Sequence, residues 1–161
     1  MKKLRLYIDA SVLGGFFDTE DAKRVSTVET LLRFIRDGVY EGFISQLTVE
    51  EVLVSPAKIH ETLQAKISEA GFQILEETGE SIRLAEAYLT NGAMPEKYRD
   101  APRHIAIGVV HDLDYIVSWN YKHMVNITVR RLVNSTNIRM GYNPIEIISP
   151  EEVTGDGEME I

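Results

Sequence analysis

The sequence predicts an α/β domain with a mostly parallel central sheet flanked by helices. Three observations carry this expectation. Five short stretches rich in Ile, Val, Leu and aromatic residues are separated by segments whose hydrophobes recur at helical spacing. The 161 residues are about one domain's length, and 44% hydrophobic content suffices for a full core. No internal repeat and no Pro-rich or Gly/Ser-rich linker divides the chain before about Pro150. Strands alternating with helices of this length favour crossover connections, and hence parallel pairing.

The first strand is "LRLYID" (4–9), in which Leu4, Leu6 and Ile8 alternate with Arg5 and Tyr7 until Asp9 ends the run. Gly14-Gly15 follows within "SVLGGFF"; it lacks the GxGxxG and Walker patterns, so it reads as a flexible turn or a close packing point. "DAKRVSTVETLLRFIRDG" (21–38) sets Val25, Val28, Leu31, Leu32 and Ile35 on one helical face and stops at Gly38. The second strand is "EGFIS" (41–45), followed by a short helix "TVEEVL" and a longer one opened by Pro56, "AKIHETLQAKISEAG". "GFQIL" (71–75) is the third strand and "ESIRLAEAYLTNG" the next helix. "PRHIAIGVVHD" precedes the fourth strand "DYIVSW" (114–119), and "VRRLVNSTNIRMG" precedes the fifth, "IEIIS" (145–149). The expected domain spans 1–150, and the acidic residues 151–161 have the composition of a disordered tail.

The bulk numbers bound the function. With no cysteine, neither a disulfide framework nor a thiolate metal site is possible, which fits a reducing, cytoplasmic setting. The two N-terminal lysines are followed by no continuous apolar run, so no secretory leader is expected. No stretch approaches the roughly 20 apolar residues of a membrane span. A net charge of −8 argues against an extensive basic surface gripping nucleic acid phosphates, while leaving room for a basic rim around an acidic site.

In parallel sheets ligands collect beyond the carboxyl ends of the strands. The first strand ends in Asp9, with Ser11 two residues on; the second ends in Ser45, and the helix beyond it carries Glu50 and Glu51. Asp100 opens the helix before the fourth strand, which ends in Ser118-Trp119-Asn120. Oxygen donors gathered in one crevice suit Mg²⁺ or Mn²⁺, which prefer carboxylates and water to imidazole or thiolate. Such an ion activates water and neutralises a phosphodiester oxygen.

The segments "LYIDASVLGGFFD", "ISQLTVEEVL" and "HIAIGVVHDLDYIVSWNYKHMVN", in this order and spacing, resemble the PIN-domain family, in particular its VapC-type toxin branch. The resemblance covers nearly the whole folded body. It implies a PIN-like three-layer sandwich and a metal-dependent single-strand endoribonuclease. It further implies a toxin often paired with a small antitoxin protein, and a homodimer. By position, the first family aspartate falls on Asp9 with its hydroxyl partner on Ser11, and the family glutamate falls on Glu51, a better match than Glu50. The fourth acidic position falls on Asn120, with Ser118 as the preceding hydroxyl. Family members commonly read Asp-Ala-x-His-Ile-Ala, whereas here Asp100-Ala101-Pro102-Arg103-His104 sets the aspartate four residues before the histidine. One residue on a helix is a rotation of about 100°. Asp9, Glu51 and Asp100 are thus the implied metal ligands, and Asn120 joins them as the fourth catalytic position without its charge.

Each candidate also has a structural reading. Asp9 suits a helix N-cap, as do Asp100 before Ala-Pro and Asn120 before "YKHM". His104 lies on an apolar face, where a hydrogen-bonded core histidine is the expectation ahead of a ligand. Lys122, His123, Arg130, Arg131 and Arg139 form either a phosphate-contacting rim or a solvated basic face. Trp119 reads as packing, with base stacking as its alternative. Two functional classes compete with the nuclease: a PIN-like module that binds RNA or protein through a degraded site, and a receiver-type domain. The latter needs a Ser/Thr and a Lys after later strands, and Lys122 after "SWNY" matches poorly.

Overall fold

The computed structural model describes residues 2–92 and 100–155. In chain order the elements are β1 (Arg5–Ile8), α1 (Ala10–Gly14) running into a 3-10 turn (Gly15–Phe17), α2 (Ala22–Arg36), β2 (Glu41–Ser45), α3 (Gln46–Leu53), α4 (Ala57–Ala70), β3 (Gln73–Leu75), α5 (Gly79–Thr90), α6 (Asp100–Val110), β4 (Tyr115–Val117), α7 (Ile127–Arg139), β5 (Glu146–Ile148) and α8 (Pro150–Thr154). The five strands lie in the order β3-β2-β1-β4-β5, and all four pairings are parallel. Leu6 sits opposite Gly42 on one side and Tyr115 on the other, so β1 is the central strand.

Period-2 alternation sorts the strand residues into two cores. Tyr7, Phe43, Ile116 and Ile147 face one layer, made by Leu84 and Tyr88 of α5, Ile105 of α6 and Val133 of α7. Leu6, Ile8, Ile44 and Val117 face the other, made by Val28, Leu31 and Ile35 of α2 and Leu63 of α4. The result is the expected three-layer sandwich with a fully parallel sheet. Gly38 adopts φ +80°, the left-handed conformation that lets the chain turn out of α2 toward β2.

The end of the domain differs from the expectation. Residues 150–154 form α8 instead of a disordered tail, and residues 156–161 lie outside the described residues. Acidic composition suggested solvation, but these carboxylates have partners. Ser149 and Glu152 make a capping box, Pro150 sits in the first turn, and Glu151 accepts the Trp119 indole N–H at 2.8 Å. Val153 packs on the α2 core.

Arg103 of α6 makes two parallel bonds of 2.8 Å to Glu77, in the connection from β3 to α5. Hydrogen bonding to Arg103 holds the Glu77 carboxyl below its ordinary pKa, against the opposing effect of burial. A carboxylate depressed in the folded state stabilises the fold above its unfolded pKa and loses that contribution as pH falls through the folded value. Arg103 is more than a third exposed, which screens the pair. Arg103→Met is therefore expected to cost about 1 kcal/mol at neutral pH. The wild-type advantage in urea unfolding should shrink through the acid range and vanish below the folded pKa of Glu77. Packing yields a second expectation. A Cβ on Gly15 would overlap the Trp119 ring, while one on Gly14 would meet nothing within 4 Å, so the close packing point is Gly15 alone. Gly15→Ala should lower the unfolding free energy by about 1–3 kcal/mol through overpacking, read from the urea midpoint.

Candidate metal centre

The order β3-β2-β1-β4-β5 sends the chain left of β1 first and right of it later, so the connections diverge at the carboxyl ends of β1 and β4. Asp9 follows β1 and Ser118 follows β4, and the Asp9 amide donates to Val117 O at 3.0 Å. An open cleft of about 400 Å³ sits there, lined by Asp9, Ser11, Glu51, Asp100, His104 and Asn120, with Ala101 and Met124 among its apolar walls. The four candidate catalytic residues thus border one cavity.

Asp9 stands at the N-cap position of α1, yet its side chain makes no capping bond. It turns instead into the cleft, where Oδ2 accepts from Ser11 Oγ at 2.7 Å and Ser118 Oγ at 2.9 Å. The two hydroxyls are themselves fixed by backbone donors: Trp119 N to Ser11 Oγ at 3.1 Å and Asn120 N to Ser118 Oγ at 3.0 Å. A carboxylate only 7% exposed needs such compensation. Among the described residues, no donor reaches its second oxygen, Oδ1.

Glu51, on α3, lines the cleft, while the adjacent Glu50 faces solvent. Its Oε1 lies 2.8 Å from His104 Nε2. The His104 Nδ1 lies 2.5 Å from the Tyr7 hydroxyl, which is 2.7 Å from Ser45 Oγ. Burial depresses the His104 pKa, but the bond to Glu51 and the charges of Asp9, Glu51 and Asp100 outweigh it and raise the value. Burial likewise keeps the Tyr7 phenol protonated by raising its pKa far above the ordinary range. His104 is the hydrogen-bonded core histidine expected from its apolar helix face, and it also holds a site carboxylate.

The other two candidates fit less tightly. Asp100 is at the first position of α6, 73% exposed in its side chain and 3.6 Å from Arg103 Nη1. Ala101 is buried beside it, so the extra residue before His104 moves the carboxylate to the rim of the cleft. Pro102 is accommodated in the first turn of α6. Asn120 Oδ1 accepts from His123 N at 3.0 Å across a turn at 121–124, where no helix forms, so it caps that turn and not the helix expected for "YKHM".

Lys122, Arg130 and Arg131 do not line the cleft. Arg130 Nη1 donates to Ile147 O at 3.2 Å, tying α7 to β5, while Lys122, Arg131 and Arg139 are exposed. Trp119 is buried packing, with the Arg24 guanidinium 4.7 Å above its ring. Ser45 enters the sequence reading only as a strand end, and Tyr7 is missed by it; a tyrosine in an alternating strand reads as core, and only the fold shows its hydroxyl facing His104.

Among the described residues, no three acidic or imidazole groups stand close enough together to hold a metal ion. The donor chemistry nonetheless suits a hard divalent cation. Among the described residues, Asp9 Oδ1 and Glu51 Oε2 are left without donors, and the cleft is lined by three carboxylates with no Lys or Arg.

No family model matches the sequence, and no curated protein does. Among solved structures, the chain is similar to one from the crystal structure of VapBC2 from Rickettsia felis bound to a DNA fragment from their promoter. The TM-score is 0.54 at 12% identity, over 91% of this chain and 98% of that one. At that identity the likeness is one of fold, and it agrees with the PIN-like sandwich that the sequence resemblance implies.

Proposed function

We propose that the cleft is the active site of a Mg²⁺- or Mn²⁺-dependent endoribonuclease that cuts single-stranded RNA. The protein would act in the cytoplasm as the toxin of a toxin–antitoxin pair, and as a homodimer. The observation that carries this reading is the charge of the cleft: among the described residues, Asp9, Glu51 and Asp100 border it with only His104 as a potential cation. The PIN-like fold and the VapBC2 likeness support the nuclease and antitoxin parts. No helix of the described residues is long and apolar enough to cross a membrane.

In this reading Asp9 and Glu51 hold the ion through the oxygens that the described residues leave unoccupied, and Asp100 joins from the rim. When bound, the cation supplies an activated water and neutralises charge on a phosphodiester oxygen. Ser11 and Ser118 fix the Asp9 carboxylate by bonds to its other oxygen. Asn120 lines the cleft as a neutral residue and leaves the charge there to the three carboxylates. Lys122 and Arg131 are the exposed cations for RNA phosphates; Arg130 is engaged with the Ile147 carbonyl.

A second reading is favoured by the exposure of Asp100 and the separation of the carboxylates. It makes the chain a PIN-like module that binds RNA or a partner protein without efficient turnover. Cleavage of a single-stranded RNA pool in Mg²⁺ or Mn²⁺ separates the two. Asp9→Asn is expected to slow cleavage by about 100-fold or more, equivalent to about 2.7 kcal/mol of barrier. Equal rates for variant and wild type would remove the nuclease reading and leave the binding module.

A further inference from the structure

We infer that His104 is a positioning residue: it aims the Glu51 carboxylate into the cleft, and it does so because Tyr7 clamps its other ring nitrogen. The inference rests on the reading of the cleft as a cation site and adds to it a part that none of the carboxylates supplies.

Hydrogen-bond chemistry fixes the direction of the contact. An ionised carboxylate only accepts, so the 2.8 Å contact requires the proton on His104 Nε2, which donates to Glu51 Oε1. The ring cannot swing away from that duty. His104 is 2% exposed, and its Nδ1 meets the hydroxyl of Tyr7, a residue with no exposure at all. Tyr7 in turn meets Ser45 Oγ, and Ser45 caps α3 by accepting from Leu47 N at 3.2 Å. Glu51 lies on that same helix, six residues on. The bonds therefore close a circuit, Ser45–Tyr7–His104–Glu51, that leaves α3 at its N-terminus and returns to it near its C-terminus.

The circuit matters because Glu51 alone would be a poor ligand. A glutamate side chain gives up rotamer freedom when it is fixed. An anchored Oε1 means that freedom is already lost before any ion arrives, while Oε2 stays available. Partners that orient a metal ligand in this way are worth about 10–100-fold in metal affinity.

The test is Mn²⁺ binding to the full chain by isothermal titration calorimetry, a readout independent of RNA cleavage. Two substitutions divide the imidazole's functions. His104→Gln places an amide N–H where Nε2 stood, and His104→Asn places one where Nδ1 stood, losing the reach to Glu51. The expected result is weakening by at least about tenfold in His104→Asn and by no more than about threefold in His104→Gln. A purely structural histidine would not show that split. Tyr7→Phe, which removes the clamp and keeps the ring volume, is expected to weaken binding by about tenfold; it carries the test if His104→Asn does not fold. Wild-type affinity in both His104→Asn and Tyr7→Phe, with binding lost in Asp9→Asn, overturns this inference and leaves the cation site standing. No Mn²⁺ binding by the wild type, or binding undiminished in Asp9→Asn, overturns both.

Discussion

The molecule is organised around a carboxylate that follows its central strand. Asp9 lies where β1 ends between β2 and β4, with little access to water, and it must be compensated there. Two hydroxyls do this, one from α1 and one from the end of β4. Each hydroxyl is held by the backbone amide of a neighbour, so the first turn of α1 and the turn beyond β4 are registered against each other through one oxygen atom. Trp119, next along that turn, packs on Gly15 and bonds Glu151. The position of α8 is thus connected to the carboxylate by a short series of contacts.

The opposite wall of the cleft is built differently. There the compensation runs through a single buried imidazole instead of paired hydroxyls. Tyr7 faces the layer opposite to Leu6 and Ile8, and its hydroxyl meets the two elements that bear on the site, α6 through His104 and α3 through Ser45. Substituting Tyr7 therefore disturbs two walls at once. Its phenol stays neutral because burial raises its pKa, so it serves as a hydrogen-bonding spacer and adds no charge to a cleft already rich in carboxylates.

Much of this was legible in the sequence because periodicity and strand-end logic are local properties. All five strands, the helical face of Val28, Leu31 and Ile35, and the gathering of Asp9, Glu51, Asp100 and Asn120 around one cleft follow from such reasoning. Of the two adjacent glutamates, Glu51 lines the cleft and Glu50 is exposed. What was not legible depends on pairings distant in sequence. Tyr7 to His104 spans 97 residues, and no local pattern marks a strand tyrosine as anything but core. The Glu151 to Trp119 bond is of the same kind, and without it residues 151–155 look like a solvated acidic tail.

The departures at positions 100 and 120 are not equivalent once energies are compared. Asp100 is largely exposed and sits 3.6 Å from an arginine whose two short bonds go to Glu77. An exposed pair of that kind is worth about 0–1 kcal/mol, so little holds the carboxylate at the rim. Asn120 caps the turn at His123 with its amide oxygen, an arrangement whose loss costs about 1 kcal/mol, and it carries no charge to attract an ion. On the proposed reading, the extra residue before His104 displaces a carboxylate that turning a side chain can recover, whereas the asparagine offers no charge to recover. A cation entering this cleft would therefore meet Asp9 and Glu51 already set and draw Asp100 inward. Asn120 would remain part of the wall.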